Sequence, residues 1–283
     1  MMQIRAFPEE RPVAFILNNA TDAQLAESIE ANLFALFQAV LALPGSEMVE
    51  GERLSYHHTY LPGSMFNAVW RARLTPDQFD SAIDEALTWF KARNAAMLAW
   101  WFSQQTPDLF ARMEAHGFEF DYNAPGMAID LNSIALHVPD GFEIVEAHDE
   151  KTLGDWVTAL YGAYEEYHMS MRAARVWAEA TLALGAKAPW TLYVGYWQGK
   201  PVATNMIFNG GGVAGLFCVG TIPEARGKGF GAAITLKPLL DAKTEGYRYG
   251  VLFAAEMAIP MYRKIGFHEV GIEIGRYSWA NER

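Results

Sequence analysis

Cysteine is nearly missing from this sequence. Cys218 is the only one in 283 residues, which excludes an intrachain disulfide and a multi-cysteine zinc site. Positive charge is scarce as well: 22 Lys and Arg stand against 33 Asp and Glu, a formal charge of −11. Nucleic-acid binding needs a basic face, so this balance argues against that class. A cationic substrate such as an amine is compatible with it. Long hydrophobic runs are lacking too. The first eleven residues contain no apolar signal-peptide core. The longest obvious apolar run, Ala95 to Phe102, is far too short to span a bilayer. A cytoplasmic protein with no membrane partner is the expectation.

What is present points to a large folded core. Half of the residues are apolar (51%) and 13% are aromatic, well outside the composition of disordered chains. The length allows one large or two medium domains.

The chain is organised around residues 219–232. An apolar, strand-like run from Val213 to Val219 leads into Arg226-Gly227-Lys228-Gly229-Phe230-Gly231-Ala232, and helix formers follow. Alternate glycines let a backbone approach a ligand closely. The free N–H groups and dipole of the helix start favour an anion, commonly a phosphate. A Walker loop fails at Ile222 and at Gly229, and a dinucleotide fingerprint fails on spacing. What remains is Arg-x-x-Gly-x-Gly, met by Arg226, Gly229 and Gly231. This resembles the pyrophosphate loop of the GNAT superfamily of N-acetyltransferases. Downstream, Tyr262-Arg263-Lys264-Ile265-Gly266-Phe267 is similar to that superfamily's Tyr-x-x-x-Gly-Phe element. The clear resemblance covers about residues 213–270, and a looser one reaches back to about 140.

Periodicity lays out the remainder. A helix is predicted over 20–43, a strand over 47–60, a strand from Phe66 to Leu74, and a helix opened by Thr75-Pro76-Asp77-Gln78. His57 and His58 fall in the second of these segments. Adjacent strand residues face opposite ways, so they make a poor metal pair and are expected to be surface or half-buried. Phe118 to Leu131 reads as two closing strands around Pro125-Gly126. Turn chemistry over 132–141 marks a boundary.

Strand, helix, strand, short helix, Gly-Phe, strand runs from Phe66 to Leu131 and again from Val213 onward. His116-Gly117-Phe118 aligns with Ile265-Gly266-Phe267, and Met113 with Tyr262. The resemblance therefore implies an α/β (α+β) protein with the GNAT-like mixed, mostly antiparallel sheet flanked by helices, present twice in tandem. On that resemblance residues 1–134 would form a degenerate copy without a phosphate loop, and residues 135–283 the acetyltransferase domain. The first half walls the acceptor pocket or is structural only.

The resemblance further implies acetyl-CoA as co-substrate, no metal, and a primary amine on a small molecule or peptide as acceptor, in a monomer or homodimer. Backbone N–H groups from Arg226, Gly227, Lys228, Gly229, Phe230, Gly231 and Ala232 would hold the pyrophosphate. Val219, Gly220 and Thr221 would bind the pantetheine arm like an added strand, and Tyr262 would protonate the leaving thiolate. Ala255 stands where the family often has Asn, and the strand 215–219 carries no Glu to act as base. Glu165, Glu166 and His168 are candidate bases acting through water. Pro238 should remove one hydrogen bond from its helix and kink it near Ile234. Cys218 reads as a buried structural thiol. The alternative is a non-catalytic acyl-CoA-binding or sensor module.

Overall fold

The computed structural model describes residues 16–103, 108–165 and 169–281. The first half opens with helix α1 (Asp22–Ala39), hairpin strands β1 (Glu47–Glu50) and β2 (Ser55–His58), and strand β3 (Asn67–Trp70). Helix α2 (Phe79–Lys91), strand β4 (Met97–Phe102), helix α3 (Leu109–Ala115) and strand β5 (Glu119–Asp130) complete it. The second half contains β6 (Phe142–Ala147), α4 (Glu150–Tyr164), α5 (Met171–Leu184), β7 (Trp190–Trp197), β8 (Lys200–Gly210) and β9 (Val213–Thr221). Then follow α6 (Phe230–Thr244), β10 (Tyr249–Phe253), α7 (Ile259–Lys264) and β11 (His268–Ala280).

The eleven strands of the described residues form one sheet, in the order β1-β2-β3-β4-β11-β5-β10-β9-β8-β7-β6. Pairing is antiparallel except at β3·β4 and β9·β10. The two halves exchange their last strands. β5 lies between β10 and β11, pairing Phe253 with Gly126 on one side and Ile274 with Ala124 on the other. β11 in turn pairs with β4, from Gly275↔Phe102 to Ala280↔Met97. Helices α2, α3, α6 and α7 cover one face, and α1, α4 and α5 the other. β4 shows the two-residue alternation of a strand buried on both sides: Leu98, Trp100 and Phe102 face α2, while Ala99 and Trp101 face α1.

The repeat seen in the sequence has a counterpart in hydrogen bonds. α3 ends with Gly117 N–H donating to Glu114 O and Phe118 N–H to Met113 O, at 2.9 Å each. α7 ends with Gly266 N–H donating to Arg263 O (3.1 Å) and Phe267 N–H to Tyr262 O (3.0 Å). Both are the two-bond glycine termination of a helix, and they align Met113 with Tyr262 as the sequence does. The capping box of Thr75 and Gln78 also forms, although it closes a 3₁₀ turn, Pro76–Gln78, ahead of α2.

Several expectations change. The segment 47–60 is two strands joined by a turn, because Gly51 N–H bonds back to Leu54 O. Phe118 to Leu131 contains one continuous strand: Pro125 and Gly126 sit inside β5, where Gly126 stays paired with Phe253 of β10 while the ladder to β11 shifts register between Glu269 and Glu273. β3 spans only four residues of the Phe66–Leu74 run. His57 and His58 are both buried, at 0% and 4% exposure. His57 accepts from Trp70 Nε1 (3.2 Å) and contacts Met65 O at 3.0 Å. Burial, the leading cause, lowers its pKa to about 4, so it is a neutral core residue. His58 contacts Asn67 Oδ1 through Nδ1. Residues Asp22–Ala42 also prove long and apolar enough to cross a membrane by composition, at mean hydropathy 1.3. Leu25, Ile29, Leu33, Leu36 and Phe37 of that helix are instead buried against the sheet.

Pro238 lies within α6 and cannot donate to Ile234 O. That carbonyl accepts instead from Asn205 Nδ2 of β8, at 2.9 Å in the buried core. A buried acceptor left alone costs about 1–3 kcal/mol. Asn205→Ala should therefore lower stability to urea by roughly that amount, less what is regained by deleting the amide's own unpaired Oδ1. In a Pro238→Ala background the helix supplies its own donor, and the loss should shrink. Equal losses in both backgrounds would show that the amide does not compensate for the proline.

The strand exchange makes a second prediction. A chain starting at residue 135 lacks β5, leaving β10 and β11 with exposed edges. It should give no cooperative thermal transition as a soluble monomer, whereas a chain starting at residue 108 should recover one. A cooperative melt from 135–283 alone would sink the idea.

Candidate active site

The site is created where β9 and β10 part. Their parallel pairing covers Gly250↔Ala214 and Val251↔Gly215 and goes no further. Beyond it β9 bulges: Thr204↔Gly220 and Met206↔Phe217 frame an extra residue in β9. Cys218, at the bulge, has φ +51, an uncommon region for a residue with a side chain. Two donors hold it there. Thr204 Oγ1 donates to Cys218 O and Tyr164 Oη to Val219 O, each at 2.8 Å. Neither Thr204 nor Tyr164 was singled out from the sequence. The available signal was a threonine in an otherwise apolar strand and a tyrosine ending an amphipathic helix.

The glycine-rich loop follows. A 3₁₀ turn at Pro223–Ala225 leads to Gly227 at φ +76 and Gly229 at φ +85, the latter capping α6 without any side-chain cap. The first helical bond is from Ala233 N–H to Gly229 O (3.1 Å). Among the described residues no N–H from Gly227 through Ala232 has a partner in the chain. No acidic residue occupies the first turn of α6. Six unpaired donors at a helix N-terminus are a cradle for an anion.

Arg226 takes a different part from the expected one. Its N–H bonds to Pro223 O (3.2 Å), and its guanidinium donates to Thr221 O (3.1 Å) and Ala163 O (3.4 Å). It therefore ties the loop to β9 and α4, and its N–H is not offered to a ligand. Lys228 contacts Glu224 O (3.0 Å) and lies 5.4 Å over the Trp197 ring.

Tyr262 is 5% exposed on α7, in the same cluster as Phe230, Ala233 and Ala254. Its ring meets Phe267 edge-on at 5.5 Å. Burial pushes its phenol well above the ordinary value, so it is a neutral donor. Its hydroxyl has no hydrogen bond among the described residues, nor is it one of the polar atoms sealed from solvent without a partner. The backbone carbonyl that would make it a purely structural tyrosine is not among its contacts.

Across the gap stands an aromatic wall. Phe217 of β9, Phe253 of β10, Trp101 of β4 and Tyr122 of β5 follow one another at 5.8, 6.2 and 6.3 Å between centroids. Arg276 of β11 lies over Trp101 and Tyr122. Burial raises the Tyr122 pKa to about 12, opposed by Arg276 and aided by Asp121 and Cys218. Cys218 is likewise raised to about 12 by burial, so it is a thiol and not a thiolate at neutral pH.

Of the candidate bases, Glu165 accepts from Tyr161 Oη at 3.2 Å, while Glu166 and His168 lie outside the described residues. Among the described residues no three His, Cys, Asp or Glu are grouped to hold a metal.

Gly231 offers a clean test of the cradle. A Cβ there would meet Thr221 Oγ1 at 3.5 Å and Met261 Cε at 3.9 Å, ordinary contacts between the end of β9 and α7. Gly231→Leu should fold with an unchanged or raised melting temperature, since Leu favours helix. It should lower coenzyme A affinity at least about tenfold, or about 1.4 kcal/mol. Unchanged affinity in calorimetry would remove this gap from the binding site.

Comparison with known proteins agrees with this geometry. Residues 151–267 match the sequence model of the Acetyltransferase (GNAT) family. No curated protein sequence matches. A GCN5-related N-acetyltransferase from Kribbella flavida has a similar fold, with TM-score 0.67 at 17% identity over 91% of this chain and 96% of its own. One from Sphaerobacter thermophilus gives 0.56 at 16% identity over 95% of each chain. A tandem GNAT protein from the clavulanic acid biosynthesis pathway gives 0.53 at 14% identity, covering 96% of this chain and 98% of its own. The matched residues run from α4 to the end of the α7 termination and include the whole loop, so the GNAT acetyltransferase family model and the glycine-rich site coincide in the second half of the chain.

Proposed function

We propose that the protein is an acetyl-CoA-dependent N-acetyltransferase that acts on a primary amine of a small molecule or peptide, by direct transfer in a ternary complex. The observation that carries this reading is the run of unpaired N–H groups from Gly227 to Ala232 beside the parted strands. The residues present fit coenzyme A: the cradle suits a pyrophosphate, and the β9 edge that faces the gap can pair with an extended amide-bearing arm. Bound there, acetyl-CoA would supply the activated acetyl group.

The roles of the chain's own residues follow. Gly227, Lys228, Gly229, Phe230, Gly231 and Ala232 would hold phosphate through their backbone. Val219, Gly220 and Thr221 would hold the arm, with an N–H of this segment polarising the thioester carbonyl as negative charge develops. The start of this segment is held in place, because Tyr164 fixes the Val219 carbonyl and Thr204 that of Cys218 just before it. Tyr262 would donate a proton to the departing sulfur. With no carboxylate on β9, the amine would lose its proton through water.

Turnover of acetyl-CoA against an amine panel, with coenzyme A binding measured by calorimetry, tests the reading. Binding without turnover would favour the sensor alternative. Tyr262→Phe keeps the ring in its contact with Phe267 and deletes only the hydroxyl. Turnover should fall ~10²–10⁴-fold, with coenzyme A affinity and melting temperature nearly unchanged. A drop in melting temperature with activity per folded molecule intact would mark the residue as structural.

A further inference from the structure

The acceptor side of the gap is built by both halves, and its chemistry narrows the acceptor. This inference rests on the transferase reading above. The wall Phe217–Phe253–Trp101–Tyr122 begins beside the bulge at Cys218, next to the segment proposed to polarise the thioester. Phe217, Phe253 and Tyr122 remain partly exposed, so the wall presents a face to solvent. Its far end is Arg276. On adjacent strands Trp101, Arg276 and Tyr122 are directly paired, which puts all three on the same side of the sheet.

The polar groups at that end are unequally satisfied. β5 shifts register between Arg276↔Tyr122 and Tyr277↔Phe120, leaving Asp121 as the extra residue. The bulge allows Asp121 to meet Arg276 on the Tyr122 side. Asp121 Oδ2 accepts from Arg276 Nε at 2.6 Å, and Oδ1 from Ser278 Oγ at 2.9 Å. Both oxygens are engaged. Arg276 Nη1 donates to Ser64 Oγ at 2.7 Å. A guanidinium has five N–H donors, and two of Arg276's are used among the described residues. Three remain on a side chain 24% exposed, in the planar geometry that suits a carboxylate.

We propose that the acceptor is an amino carboxylate with an apolar body: its amine reaches the bulge, its body lies on the aromatic wall, and its carboxylate is held by Arg276. The first half is then a specificity element, since it contributes Ser64, Trp101, Asp121 and Tyr122. Arg276 acts as a binding residue for the acceptor and has no contact with the coenzyme A cradle.

The probes are a series of straight-chain ω-amino carboxylates and the alkylamines of matching length that lack the carboxylate. With wild-type protein, the best amino carboxylate should exceed its alkylamine at least about tenfold in kcat/KM. Arg276→Met should abolish that preference through acceptor KM, leaving KM for acetyl-CoA unchanged. Arg276→Lys keeps the charge beside Asp121 and loses the fork, so it should retain part of the preference and serves if the Met variant melts early. Calorimetry of the same carboxylates against protein saturated with coenzyme A gives a readout independent of turnover. Acetyl transfer by wild type with no preference for the carboxylate series overturns the proposal and leaves the transferase reading standing. So does a preference that survives in folded Arg276→Met. Carboxylate binding with no transfer to any amine supports the proposed binding site and overturns the transferase reading instead.

Discussion

The structure depends on the insertion of β5 between β10 and β11. A short helix with a glycine termination, α3 or α7, carries the chain from β4 to β5 and from β10 to β11. In each half the strand that follows crosses to the other half's side of the sheet. The consequence is that each core cluster contains residues of both halves. Trp101 of the first half packs on Phe253 of the second, and Phe102 on Tyr277. α1 reinforces the join: Asn32 donates to Phe208 O and Gly210 O of β8, at 3.1 and 2.9 Å.

This pairing also decides where the site can be. β10 finds its antiparallel partner in β5 and keeps only two paired positions with β9. β9 is then free to bulge at Cys218 and leave β10. The loop that follows enters α6 at the angle set by Gly229, and Arg226 fastens that loop to α4. On one side of the opening lies a cradle of backbone donors. On the other lies a wall of rings from strands β4, β5, β9 and β10. Residues far apart in sequence are thus brought beside the parted strands because the sheet is shared.

Polar side chains are placed where the backbone departs from regularity. Pro238 breaks one helical bond and Asn205 replaces it. The bulge exposes two carbonyls, and Thr204 and Tyr164 take them. Asp121, left over by a register shift, finds Arg276 and Ser278. Each irregular position has a partner on another element, which fixes the irregularity in one conformation.

The sequence by itself determined what is local. Gly227, Gly229 and Gly231, followed by helix formers, specify a turn entering a helix start, because their backbone freedom is encoded residue by residue. The Gly-Phe terminations at 117–118 and 266–267 and the capping box at Thr75 and Gln78 were legible for the same reason. Pro238 announced its missing hydrogen bond, though not the amide that replaces it. Only the tertiary structure decided that β5 belongs beside β10, that residues 118–131 make one strand, and that Arg226 braces the loop. It alone joined Tyr122, Trp101 and Arg276 into a wall and buried His57 and His58. Those outcomes depend on which strand edges meet, and an edge carries the same N–H and C=O groups whatever its side chains are. Partner choice is settled when the whole sheet and both cores form together, by burial on two faces at once.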